Sequence, residues 1–162
     1  LYGRALAFAA LQGTETVLDL YCGIGTITLM LAQKAGRVIG AEVVPQAIED
    51  ARENARRNGI ENVEFICGDA GQTAQILAKR GIRPEVICVD PPRKGLAGEV
   101  IETIVSMQPL RVVYVSCDPA TLARDIKAFA QGGYALKKVE ACDMFPRTVH
   151  VECVVLMSKI QK

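Results

Sequence analysis

Short apolar runs alternate with stretches of helical period along the whole chain. The apolar runs lie at Thr16–Leu20, Arg37–Glu42, Val63–Cys67, Glu85–Asp90, Arg111–Ser116, Ala135–Glu140 and Val149–Met157, and they read as strands. Helical period marks Tyr2–Leu11, Thr26–Lys34, Pro45–Asn58, Gly71–Lys79, Glu99–Met107 and Pro119–Gln131. Strand and helix taking turns at this spacing predicts an α/β domain whose parallel sheet is covered on both faces. The run Val86-Ile87-Cys88-Val89 fits a strand buried on both sides. Only the last two strands follow one another without a helix, which predicts a terminal antiparallel hairpin crossing Cys142 to Thr148. Local punctuation agrees, since Asn58-Gly59 closes one helix as a C-cap and Pro45 sits in its first turn.

Composition narrows the class. The 162 residues are 50% hydrophobic and 23% charged, enough apolar material for the core of one domain. No run approaches about 18 apolar residues and no basic-then-apolar leader is present, so neither a membrane span nor a signal peptide is expected, and a cytoplasmic protein is the default. Six cysteines without a CxxC pair are expected to be reduced thiols, not a disulfide framework or a metal site. Cys67 and Cys88, flanked by apolar strand residues, are expected to be inert core. A net charge of +1 neither demands nor excludes a nucleic-acid partner. The chain begins at Leu1 and is helical almost at once, as expected of a fragment of something longer.

Candidate chemistry collects just past the strands. In Asp19-Leu20-Tyr21-Cys22-Gly23-Ile24-Gly25-Thr26 a strand feeds a glycine turn into a helix, and glycines let backbone approach a ligand closely. Glu42 ends the next strand, about 20 residues on, where a carboxylate can accept hydrogen bonds from ribose hydroxyls. Thr28 stands where the dinucleotide fingerprint has its third glycine, which argues against NAD and for a nucleoside cofactor without a pyrophosphate, S-adenosylmethionine. Asp69 suits either an adenine amino group or a helix N-cap. Asp90-Pro91-Pro92-Arg93-Lys94-Gly95 puts an acid and a stiff proline pair at the same crevice, and Arg93 is a candidate for RNA phosphate. Lys94 reads as merely solvated. An adenine amino-methyltransferase would place an aromatic after the prolines, where Arg93 stands.

The fifth strand runs into Val115-Ser116-Cys117-Asp118-Pro119-Ala120-Thr121. Asp118 makes a good N-cap and Pro119 a good first helical residue, so the Cys117 thiol stands just outside a helix N-terminus. That terminus favours a thiolate while the Asp118 carboxylate opposes it.

Together with Phe145-Pro146-Arg147-Thr148-Val149-His150-Val151-Glu152, these motifs resemble the catalytic domain of bacterial RNA uracil-5-methyltransferases over nearly the whole chain. The resemblance implies a Rossmann-like class I S-adenosylmethionine-dependent methyltransferase fold, a mostly parallel seven-stranded sheet with a C-terminal hairpin. It implies Cys117 as nucleophile and Glu152 as base, with Tyr21, Gly23, Gly25, Thr26, Glu42, Asp69 and Asp90 contacting the cofactor. Burial in an apolar strand would raise the Glu152 pKa toward the range useful for proton transfer. His150 reads as the wet face of that strand. Phe145 or Arg147 would stack on a flipped base. The implied partner is RNA, ribosomal in preference to transfer. No metal is expected in these residues, whereas some family members hold an iron–sulfur cluster in an N-terminal region. The alternatives are an RNA cytosine-5-methyltransferase, which would carry a cysteine in the loop after the fourth strand, and a non-catalytic module that only binds RNA or protein.

Overall fold

The computed structural model describes residues 1–144, 146–148 and 150–161. Among these residues seven strands and six helices alternate as far as β6, which β7 follows directly. The strands are β1 (Thr16–Leu20), β2 (Arg37–Glu42), β3 (Val63–Cys67), β4 (Val86–Val89), β5 (Arg111–Ser116), β6 (Tyr134–Cys142) and β7 (Glu152–Lys159). The helices are α1 (Tyr2–Ala9), α2 (Thr26–Ala32), α3 (Pro45–Arg57), α4 (Ala70–Lys79), α5 (Gly98–Met107) and α6 (Pro119–Gln131). They form one sheet of order β3-β2-β1-β4-β5-β7-β6.

Pairing is parallel from β3 across to β5, and β7 runs antiparallel to both of its neighbours. The terminal hairpin is therefore present, but its second strand inserts between β5 and β6. β7 runs from Glu152, which pairs with Cys142 of β6; Val149, where the sequence pattern starts the strand, lies outside the described residues. His150 lies outside the strand.

Alternation within the strands explains the two layers of helices. Leu18, Leu20, Val112 and Tyr114 pack with α4, α5 and α6, while Val17, Val113 and Val115 pack with α1 and α2 on the other face. α3 joins that second layer through Ile48 and Ala51 against Phe65 and Cys22. Central strands buried on both faces are expected to be almost continuously apolar, and among these Asp19 in β1 is the buried exception. Among the described residues no helix is long and apolar enough to cross a membrane.

The order reverses between β1 and β4, and ligands of such sheets bind outside the carboxyl ends of the strands at that point. Glu42 ends β2 at this edge, and residues 21, 69, 90 and 117 follow strands there. Because β7 is antiparallel, its first residue, Glu152, lies there too.

Candidate active site

The turn after β1 is set by backbone conformation. Tyr21 takes φ 62, Gly23 φ 53 and Gly25 φ 88, all in the left-handed region. Gly25 is the N-cap of α2, and a Cβ there would sit 3.3 Å from Ala51 Cβ and from the Phe65 ring. It therefore serves close packing and does not line the cavities described below. Glu42 ties the turn down: Oε2 accepts the Gly23 amide at 3.2 Å, and Oε1 accepts the Val43 and Val44 amides at 2.8 and 3.1 Å. A carboxylate offers about four acceptor sites, so one remains for a ligand. Asp69 is the N-cap of α4 in a full capping box, its Oδ1 accepting the Gln72 amide at 2.8 Å. That is the plainer of its two expected roles, and it leaves Oδ2 open.

Two cavities meet at Tyr21. One, of about 80 Å³, is an apolar slot lined by Leu20, Tyr21, Ala41, Val43 and Val100, with Glu42 and Asp69 at its rim. The other, of about 220 Å³, is lined by Tyr2, Asp19, Tyr21, Gly23, Thr26 and Asp90. Two larger concavities lie on the outer flank of α3 and β3 and at the amino ends of β4 and β5, away from every candidate residue, and another of about 240 Å³ lies between α2 and the end of α3, touching Thr26 alone among the candidates.

The second cavity is acidic. Asp19 is fully buried; its Oδ2 accepts the Thr28 hydroxyl at 2.6 Å, while Oδ1 has no hydrogen-bond partner. Burial pushes its pKa up to about 7, with the Thr28 hydrogen bond opposing and the Asp90 carboxylate adding. Thr28, which stands in place of a glycine, thus orients a buried acid. Burial, then the Glu152 carboxylate, raises Asp90 to about 6. The Tyr2 phenol is raised by burial, and next by Asp90, Glu152 and Asp19. The local pattern Leu1-Tyr2-Gly3 carries no signal that could have identified Tyr2. Asp19 was legible only as part of the glycine motif. An acidic cavity with one buried, unpartnered carboxyl oxygen suits a cationic, hydrogen-bond-donating ligand.

The Cys117 turn is held on both sides. Ser116 Oγ donates to the Asp118 carbonyl at 2.9 Å and accepts the Asp118 amide at 3.1 Å, spanning Cys117. Asp118 caps α6, accepting the Ala120 and Thr121 amides at 2.9 and 3.1 Å. Those amides, Thr121 first, hold its carboxyl below the usual range, with Arg93 and His150 contributing. Ser116 pairs with Cys153 as the last pair of the β5–β7 register, and Cys117 and Glu152 are the residues that adjoin that pair on each chain.

The remaining thiols differ from one another. Burial raises Cys22 to about 12 and Cys88 well above its ordinary value, whereas Cys67 is exposed at the end of β3 and is not core. Strand-end position, not flanking hydrophobicity, decides its exposure. Arg93 Nη2 lies 2.9 Å from His150 Nδ1, joining the proline loop to the segment before β7. Arg147 is exposed with φ 70, and Phe145 lies outside the described residues. Among the described residues no cluster of three or more His, Cys, Asp or Glu suits a metal ion.

Comparison with known proteins agrees with this layout. A Bacillus cereus protein named as an uncharacterized RNA methyltransferase is 54% identical over 162 residues, which is all of this chain and 35% of that protein. A Clostridium acetobutylicum protein of like name is 49% identical over the same length, again 35% of its own. The chain thus spans about a third of these curated relatives. The crystal structure of Pyrococcus abyssi tRNA (uracil-54, C5)-methyltransferase in complex with S-adenosyl-L-homocysteine superposes with TM-score 0.79 at 32% identity, covering 96% of this chain and 36% of that one. An rRNA methylase from Streptococcus thermophilus, 18% identical with TM-score 0.77 over 98% of this chain and 95% of its own, shares the fold. The fold is that of class I S-adenosylmethionine-dependent methyltransferases. With residues 5–160 matching the family described as tRNA (Uracil-5-)-methyltransferase, this chain belongs to that family.

Proposed function

We propose that this chain is the catalytic domain of an enzyme that methylates carbon 5 of a uridine in RNA with S-adenosylmethionine, through a covalent bond from Cys117 to uracil carbon 6. The observation that supports the reading is that Cys117 and Glu152 each adjoin the last β5–β7 pair, Ser116 with Cys153, at the same sheet edge as Asp90 and the glycine turn. When bound, S-adenosylmethionine supplies an electrophilic methyl group on a sulfonium. The residues present fit it. The apolar slot with Glu42 and Asp69 at its rim suits adenosine, and the unpartnered Asp19 oxygen with Asp90 suits an ammonium group.

Carbon 5 of uracil is a poor nucleophile. Addition of the Cys117 thiolate to carbon 6 places an electron pair on carbon 5, which then takes the methyl group. Glu152 removes the proton left on carbon 5, the pair re-forms the ring double bond, and the Cys117 thiolate departs. Because the base must leave its stack to reach Cys117, the target uridine is flipped or drawn from a loop. Arg93, exposed on the loop after Asp90, would meet RNA phosphate, and the exposed Arg147 would stack on the flipped base.

RNA containing 5-fluorouridine tests the mechanism, because fluorine cannot be removed as a proton and the adduct persists. A Cys117-dependent adduct is expected; an adduct surviving in Cys117→Ala refutes the assignment. For the substrate, 23S ribosomal RNA is the expected target, from the resemblance to bacterial ribosomal enzymes. Transfer RNA is a second reading favoured by the Pyrococcus abyssi neighbour, which acts on tRNA. Nucleoside analysis of each RNA class from a deletion strain decides between them, and loss of 5-methylcytidine instead of 5-methyluridine would overturn both.

A further inference from the structure

The proline loop and Cys117 follow different strands, yet one helix grips both. Cys117 immediately precedes Asp118, the N-cap of α6. The same helix reaches back to the loop through side chains on its first two turns. Thr121 Oγ1 donates to the Arg93 carbonyl at 3.1 Å, and Arg124 Nη2 donates to the Lys94 and Leu96 carbonyls at 3.0 and 3.1 Å. Asp125 Oδ2 accepts the Leu96 amide at 2.8 Å and, from β5 beneath, the Tyr114 hydroxyl at 2.7 Å. Its other oxygen accepts Arg124 Nε at 2.9 Å.

Asp125 is fully buried, whereas the Arg124 side chain is 57% exposed. A buried carboxylate persists only where its oxygens are bonded, and here the bonds go to a loop, a strand and the preceding residue of its own helix. The loop is shaped to receive it. Gly95 takes φ 73, and a Cβ there would lie 2.6 Å from Asp125 Oδ2 and 2.8 Å from Arg124 Nη2. No side chain other than hydrogen fits that seam without moving it.

We propose that Asp125 is a positioning residue: with Arg124 it clamps the loop after Asp90 to the helix that follows Cys117, and so sets the separation of the cofactor cavity from the nucleophile. The role rests on the reading of Cys117 as nucleophile. A group displaced by about 1 Å from its reacting partner costs on the order of 100-fold in rate, so a clamp between the two halves of the site has a measurable effect.

The test uses the natural full-length chain and two variants. Asp125→Asn keeps one acceptor for Leu96 and Tyr114 but turns an amide donor toward Arg124 Nε, releasing the arginine. Arg124→Gln frees the two loop carbonyls from a half-exposed position, at little risk to folding. Both are expected to lower kcat for 5-methyluridine formation by about 10–100-fold, with the loss in kcat and not in the KM for cofactor. The double variant should lose no more than Asp125→Asn alone, since the arginine is held on the loop by the carboxylate and is already released when that is lost. Amide exchange at Leu96 should quicken in Asp125→Asn while the central strands keep their protection. A wild-type kcat per folded molecule, with Tm alone reduced, assigns Asp125 to stability only and overturns the proposal. The wild-type control separates the two claims: absence of a Cys117-dependent adduct refutes the uracil reading, and Leu96 exchange then still decides whether the clamp exists.

Discussion

Replacing Asp19 by asparagine should make the protein more stable and bind its cofactor less well, and both effects should depend on pH in a defined sense. In the folded protein Asp19 is fully buried and its pKa rises from 3.8 to about 7. The unfolded chain releases this proton near pH 4 while the folded chain retains it to about pH 7, so the unfolded state binds fewer protons in between and wild-type stability falls as pH rises through that window. At about 1.4 kcal/mol per pKa unit, the cost at pH 8 is on the order of 4 kcal/mol. Asparagine keeps an acceptor for Thr28 but leaves its buried amide short of partners, which costs about 1–3 kcal/mol. The variant is therefore expected to gain about 1–3 kcal/mol at pH 8, with a rise in Tm of about 2–4 °C for each kcal/mol. That gain should shrink to nothing or reverse near pH 4. Calorimetry with S-adenosylhomocysteine, whose ammonium group the Asp19 carboxylate would meet, should show affinity lower by about 10–100-fold, the loss of one charged hydrogen bond. Wild-type affinity should itself weaken below about pH 7 as Asp19 takes up its proton. Thermal melts of both proteins from pH 4.5 to 8.5 check the first half. A stability difference that stays constant over that range would falsify the account of Asp19 as a buried acid kept for a ligand.

Three further outcomes follow from other parts of the site. Glu152→Gln removes the base but not the nucleophile, so turnover should fall about 10²–10⁴-fold while a denaturant-resistant protein–RNA complex accumulates with unmodified uridine RNA in the presence of cofactor; free RNA released at the wild-type rate would exclude Glu152 as the base. Glu42→Gln can keep the Val43 and Val44 amides or the Gly23 amide but not all three, so it should destabilise the fold by about 1 kcal/mol in urea and weaken cofactor binding, and an unchanged Kd would mean that the glycine turn holds itself. Gly40→Ala would bring a Cβ to 2.8 Å from the Phe65 ring and 3.0 Å from Cys22 Sγ, costing about 1–3 kcal/mol by overpacking; a wild-type Tm would show that the Phe65 ring yields freely.

The alternation of apolar runs with helical period was enough to locate all seven strands and six helices to within a few residues, because strands buried on two faces are almost continuously apolar and helix ends are marked by local chemistry such as Pro45, Asp118 and Gly59. The same reasoning brought Tyr21, Glu42, Asp69, Asp90 and Cys117 to one edge, since each ends or follows a strand of a parallel sheet. Glu152 was different. Its place depends on β7 running antiparallel between β5 and β6, and no local signal states which strand a hairpin will dock against.

By itself, then, the sequence determined the elements, their order and the edge where chemistry collects. Only the tertiary structure decided which groups share a proton or a hydrogen bond. Asp19 reads in sequence as an ordinary strand residue, and its raised pKa comes from burial under α2 with Asp90 and Thr28 brought near. Asp125 reads as a polar position on an amphipathic helix, yet it is bonded to Tyr114 and to Leu96, 29 residues away. Helix caps and periodicity are set by neighbours along the chain, whereas desolvation and partnership are set by whatever the fold packs alongside.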